Sequence, residues 1–138
     1  MTRWRSCDQI VTAVKVVDAS ALGAVLFIEQ TADAVAAQLQ DATLVAPHLL
    51  GHEIASVCLK KIGSNPEKRA VIMTQFAGWG QLGIELVEVD HQAVPPLAES
   101  FGLSAYDASY LWLARQLGAE LVTLDRQLAQ AAAALGHT

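Results

Sequence analysis

Stretches rich in β-branched residues alternate along this chain with stretches whose apolar residues recur at helical spacing. Val11–Val17 (VTAVKVV) is a run of strand formers halted by Asp18, and it predicts a buried strand. Short helices are predicted over Ala19–Glu29 and over Thr31–Asp41, where Val35 and Leu39 share a face. Thr43–Ala46 (TLVA) predicts a short strand stopped by Pro47. His48–Ile62 reads as a helix ended by Gly63-Ser64-Asn65-Pro66. Glu67–Leu82 reads as a further helix, weakened by Gly78 and Gly80. Ile84–Val89 (IELVEV) alternates like a strand. A helix over Ala93–Phe101 opens near Pro95 and Pro96 and is closed by Gly102. The next, Ser104–Leu117, ends at Gly118. Glu120–Leu124 (ELVTL) predicts the last strand, and Asp125–Leu135 an alanine-rich final helix.

Strands separated by helices require crossover connections, so the expected class is α/β, a mostly parallel sheet with helices on both faces. Ligands of such sheets bind beyond the carboxyl ends of the strands. A length of 138 residues suits one domain, expected over residues 11–138. Residues 1–10, with Arg3, Arg5 and Asp8 around Trp4, read as a loosely ordered leader and carry no signal-peptide pattern. A hydrophobic fraction of 53% excludes a disordered chain, yet no apolar window is long enough for a membrane span. Cys7 and Cys58 stand far apart without a CxxC pattern, which argues against a disulfide scaffold or cysteine zinc site and suits a reducing cytoplasm. The net charge of −5 argues against coating nucleic acid by bulk charge. It leaves room for an enzyme that grips nucleic acid through a metal site and a small basic patch. Only 17% of residues are charged, so apolar surface is expected to remain uncovered and to meet a partner or a second copy.

Four acids stand out. Asp18 and Asp125 each directly follow a predicted strand and should emerge at the carboxyl edge of the sheet. Each also suits a helix N-cap. Glu53 lies on one helical face with Leu49 and Val57, where a carboxylate is costly unless it pairs or binds a cation. Its plain structural alternative is an exposed acid paired with Lys60 or Lys61. Asp107 follows Ser104 at capping-box spacing and shares a face with Tyr110, Leu111 and Ala114. Were these acids to converge, their repulsion would raise their pKa values and oppose folding. A divalent cation resolves that conflict, and hard oxygen ligands select Mg²⁺, with Mn²⁺ able to substitute. Such a site lowers the pKa of bound water and stabilises charge on a phosphoryl oxygen.

The succession VVDASAL, APHLLGHEIASVCLKK and GLSAYDASYLWLARQLGAELVTLDRQLAQAA resembles a PIN domain of the VapC toxin type, over about Val14 to Leu135. The resemblance implies a three-layer α/β/α fold and a metal-dependent endoribonuclease. It implies the toxin half of a toxin–antitoxin pair, a homodimer silenced by a small VapB-like antitoxin, with RNA as substrate. The family's acidic site maps onto Asp18, Glu53, Asp107 and Asp125. Asp18 and Asp107 are expected as main direct ligands. Glu53 and Asp125 are expected to complete the site and orient the attacking water. Ser20 matches a hydroxyl of the family that helps hold metal or phosphate, and Thr123 is a second candidate. Cleavage is expected to leave a 5′-phosphate and a 3′-hydroxyl. The leader before Val11 and the histidines His48 and His52 are not required by the pattern.

Lys60, Lys61, Lys68 and Arg69 form the one basic cluster within the expected domain and are candidates for gripping the RNA backbone. A solvated turn is their bland alternative. Arg126 either contacts phosphate or pairs with Asp125. His48 and His52 stand four apart without a third ligand or an HExxH pattern, so zinc is set aside. Gly78-Trp79-Gly80-Gln81-Leu82-Gly83 fits GxGxxG but precedes a strand instead of following one, and reads as a helix terminus. Cys58 reads as core, and Tyr106, Tyr110 and Trp112 as core or interface before base-stacking platforms. Three other functions share these residues: a PIN nuclease of RNA processing outside toxin–antitoxin systems, a non-catalytic binding module whose acids are only caps, and a hydrolase of small phosphate compounds.

Overall fold

The computed structural model describes residues 13–136. The leader expected over residues 1–10 lies outside them. Four strands, β1 (Ala13–Val17), β2 (Ala42–Pro47), β3 (Glu85–Val87) and β4 (Glu120–Val122), form one parallel sheet in the order β3-β2-β1-β4. Among the described residues seven α-helices accompany them: α1 (Ala19–Leu26), α2 (Ala32–Leu39), α3 (Leu49–Ser64), α4 (Arg69–Ala77), α5 (Val94–Phe101), α6 (Ala105–Leu117) and α7 (Arg126–Gly136). From β1 the chain steps to β2 and then β3, and afterwards crosses back past β1 to β4. Right-handed crossovers therefore put α1–α4 on one face of the sheet and α5–α6 on the other. The reversal of direction lies between β1 and β4. That junction is the switch point, whose carboxyl-end crevice is the natural ligand site of such sheets.

β1 is central, and its Val16 and Val17 are wholly buried. Around them pack Leu22 of α1, Leu50 and Ile54 of α3, Leu111 and Leu113 of α6 and Leu128 of α7. Burying each such side chain contributes roughly 1.5–3 kcal/mol, so the central strand's end is firmly held where Asp18 begins. Gly102 and Gly118 close α5 and α6 with φ of +65° and +59°, a backbone region that a residue with a Cβ enters at a cost.

Some boundaries differ from those expected. The predicted strands Ile84–Val89 and Glu120–Leu124 shrink to Glu85–Val87 and Glu120–Val122. Their neighbours set the limit: Val87 pairs with Pro47, the last residue of β2, and Val122 with Val17, the last of β1. The single helix expected over Glu67–Leu82 is three pieces, a 3₁₀ turn at Pro66–Lys68, then α4, then a 3₁₀ turn at Gly78–Gln81. Pro66 starts the first piece, and the two glycines weaken the last. Gly78–Gly83 is thus a helix terminus: Gly83 takes φ of +68° and the chain passes into β3. Trp79 of that turn packs beside Gly51, two residues before Glu53.

Candidate active site

The register of β1 and β4 dictates what lies beside Asp18. Val17 pairs with Val122, so the next residues, Asp18 and Thr123, sit side by side beyond the strand ends. The Asp18 amide donates to the Val122 carbonyl at 3.2 Å. Only 5% of Asp18 is exposed. Its Oδ1 accepts from Ser20 Oγ at 2.7 Å and from the Ala21 amide at 3.0 Å, and its Oδ2 accepts from Thr123 Oγ1 at 2.5 Å. The bond to Ala21 caps α1, so the N-cap reading holds. An ionised carboxylate offers about four acceptor positions. Three are used here, two on Oδ1 and one on Oδ2.

The two hydroxyls beside Asp18 also knit the crevice together. Ser20 Oγ accepts from the Leu124 amide at 2.9 Å, and Thr123 Oγ1 accepts from the Asp125 amide at 3.0 Å. Ser20 and Thr123 lie 3.3 Å apart. Asp125 in turn caps α7, its Oδ1 accepting from the Leu128 amide at 2.9 Å. Here too a capping role and a place at the carboxyl edge coexist.

Asp107 and Glu53 come from the two helical layers. Ser104 caps α6 by accepting from the Asp107 amide at 3.0 Å, which fixes Asp107 in the first turn of the helix. Glu53 stands one turn into α3, partly buried. Neither lysine proposed for it is its partner. Lys61 pairs with Glu29 at 2.7 Å and lies over the Phe27 ring at 5.4 Å from its centre. Glu53 Oε1 instead accepts from the hydroxyl of Tyr110 at 2.6 Å.

Asp18, Glu53 and Asp107 each feel the charge of at least one other of the four. Burial raises the pKa of Asp18 above the ordinary aspartate value; the bonds from Thr123, Ala21 and Ser20 oppose the rise and the charge of Asp125 adds to it. Burial likewise raises Glu53, against the Tyr110 bond, with further lift from Asp107 and Asp18. Asp107 is raised by burial first and then by Asp125 and Asp18. Among the described residues no ion pair relieves any of the four. Oxygen donors of like charge, without a cationic side chain, suit a hard divalent cation and not zinc. As the side chains stand, no three acids, histidines or cysteines among the described residues are gathered closely enough to hold an ion. Asp18 Oδ2, the second oxygen of Glu53 and the Asp107 carboxylate are the groups that would turn toward one.

The basic candidates are scattered. Glu53 and Lys60 are seven residues apart on α3, about 10 Å along its axis at 1.5 Å per residue. Lys60, Lys61, Lys68 and Arg69 therefore lie toward the other end of that helix. Arg126, exposed in the first turn of α7, directly adjoins Asp125. His48 and His52 are exposed on α3, and Cys58 is buried, its thiol 3.9 Å from the Met73 sulfur. Tyr106 is exposed, whereas Tyr110 is core. The sequence reads Tyr110 as core or interface, with base stacking as the alternative, and does not pair its hydroxyl with an acid of the site. The spacing Asp107-x-x-Tyr110, which puts both on one helix face, was the available signal that it also attends the site.

The model of the PIN domain family matches residues 15–134. The chain belongs to the PIN domain family. PIN domains are generally metal-dependent nucleases, and the parallel sheet with acids at its switch point fits that description. The crystal structure of PAE2754 from Pyrobaculum aerophilum is similar to this PIN domain. Its TM-score is 0.70 and its sequence identity 26%, over 86% of this chain and 79% of that one. No curated protein matches the chain.

Proposed function

We propose that this PIN domain is an Mg²⁺-dependent endoribonuclease and the toxin of a VapBC-type pair. What supports the nuclease reading is the electrostatic influence among acids from separate segments, Asp125 acting on Asp18 and Asp107, and Asp107 and Asp18 on Glu53. Burial raises the pKa of Asp18, Glu53 and Asp107, each is raised further by at least one neighbouring acid, and among the described residues no ion pair relieves them. Asp18 and Asp107 serve as the main ligands, and Glu53 and Asp125 complete the site. A bound Mg²⁺ supplies Lewis-acid chemistry, activating water and neutralising charge on the scissile phosphate. The chain's own residues do the positioning. Ser20 and Thr123 hold the Asp18 carboxylate in one orientation, and Ser104 fixes the helix turn that presents Asp107. Arg126 is the basic side chain adjoining the acids and contacts the RNA backbone. The toxin role rests on the sequence resemblance, and with it come a small antitoxin and a homodimeric state. No helix of the described residues is long and apolar enough to cross a membrane.

The deciding experiment incubates total cellular RNA with the purified protein, free of any partner, in Mg²⁺, Mn²⁺ or EDTA. Discrete fragments that require metal and vanish in Asp107→Asn are expected. A correctly folded protein that cuts nothing in any metal and does not bind Mn²⁺ would be a binding module instead. Induced expression with and without the product of an adjacent small gene tests the toxin role: growth arrest relieved by that product is expected.

A further inference from the structure

The hydroxyl of Tyr110 performs a task that packing does not require. The ring is 1% exposed and ranks among the largest fully buried side chains of the protein. A buried tyrosine hydroxyl needs a hydrogen-bond partner, and it finds one 57 residues away, on the opposite helical layer, in Glu53 Oε1 at 2.6 Å. A neutral donor to an ionised acceptor makes a short, strong bond of this kind. Glutamate has three rotatable side-chain bonds, and fixing a chain of that length costs rotamer entropy. Among the described residues Tyr110 is the hydrogen-bond partner of Glu53. One carboxylate oxygen is thereby tied to the core, while the charges of Asp107 and Asp18 act on the same carboxyl group. Asp107 and Tyr110 occupy successive turns of one face of α6, so a single helix presents one acid and restrains another.

We infer that Tyr110 is a positioning residue. Its hydroxyl clamps Glu53 Oε1 so that Oε2 alone is presented to the metal. The inference rests on the metal-nuclease reading of the acidic site. It concerns the orientation of Glu53, which can be observed without metal or RNA.

The test combines Mn²⁺ calorimetry with crystallography on wild type, Tyr110→Phe, Glu53→Gln and the double variant, each checked for folding by thermal melting. Loss of an outer partner of a metal ligand typically weakens metal binding 10- to 100-fold. Tyr110→Phe is expected to weaken Mn²⁺ roughly 10-fold in the wild-type background and not to weaken it further in Glu53→Gln. Equal weakening in both backgrounds, or none in either, overturns the clamp, since a packing role does not depend on Glu53. In metal-free crystals of Tyr110→Phe the Glu53 carboxylate is expected to leave its present position; an unmoved carboxylate overturns the inference. Should Tyr110→Phe fail to fold, wild-type crystals soaked in Mn²⁺ decide. The Tyr110 bond to one oxygen with metal on the other supports the clamp, and a broken Tyr110 bond overturns it. A wild type that binds no Mn²⁺ refutes the metal reading, and the metal-free crystals then judge the clamp alone.

Discussion

Thr123 Oγ1 donates to Asp18 Oδ2 and accepts from the Asp125 amide, so one hydroxyl couples the ends of the first and last strands. Thr123→Val keeps the branched shape and removes both bonds. A buried carboxylate oxygen and an amide then lose their partner, at roughly 1–3 kcal/mol. Urea denaturation is expected to show that loss, and Thr123→Ser is expected to restore most of it. Unchanged stability in the valine variant would mean that water replaces the hydroxyl.

The pH dependence follows from three raised carboxyl groups, Asp18, Glu53 and Asp107. Each binds its proton more tightly folded than unfolded, so the folded chain carries more protons once pH exceeds the ordinary values of 3.8 and 4.5. Their contribution to stability is complete below those values and is lost as pH rises through the higher folded-state ones. In EDTA the melting temperature is therefore expected to rise as pH falls from neutrality through those raised values toward 4.5. The thermal shift produced by Mn²⁺ is expected to be larger at pH 7 than at pH 5. A metal-free protein most stable at pH 7 would contradict this.

Asp107→Asn removes a charge from the acidic group while keeping the helix cap, because Ser104 Oγ accepts from the backbone amide of residue 107 and an asparagine side chain can still bond Ser104 where the Asp107 carboxylate does. The metal's electrostatic contribution is several kcal/mol, and each 1.36 kcal/mol is tenfold in rate. Cleavage is thus expected to drop by roughly 100-fold or more. In EDTA at pH 7 the variant is expected to melt higher than wild type, through relief of repulsion with Asp125 and Asp18. Wild-type cleavage by this variant would sink the assignment of the site.

Arg126 and the Lys60–Arg69 cluster are distinguishable by salt. If Arg126 contacts a phosphate, Arg126→Ala weakens RNA binding and lowers the slope of log affinity against log salt by about 1. Lys68→Ala, toward the far end of α3, is expected to change that slope less. Binding assays on an uncleaved RNA in EDTA, at several salt concentrations, compare the two. Lys61→Ala is expected to lose about 0.5–1 kcal/mol of stability with its partly exposed Glu29 pair.

Much of this arrangement is readable from local sequence. VKVV followed by Asp18 announces a buried strand with an acid at its end, and LVTL followed by Asp125 repeats the statement. Alternating strands and helices imply the parallel sheet, and the sheet locates the crevice. Strand lengths were less legible, because β3 and β4 stop where β2 and β1 stop, a matter of pairing partners and not of their own residues. The break-up of the segment after Pro66 depended on weak propensities at Gly78 and Gly80 that packing resolved. Tyr110 was hidden for a different reason. An aromatic residue at helical spacing looks like core and is core, and nothing local to α6 tells its hydroxyl that Glu53 waits on α3.

The bond between Asp18 and Thr123 spans 105 positions of the chain. A contact of such sequence separation closes late, after its long loop has been drawn in. During synthesis Asp18, Glu53 and Asp107 are made before β4 exists, and a nascent or truncated chain lacks the strand that seals the crevice. The Thr123 side of the Asp18 pocket is thus completed only once β4 is available to pair with β1, a dependence written into strand order.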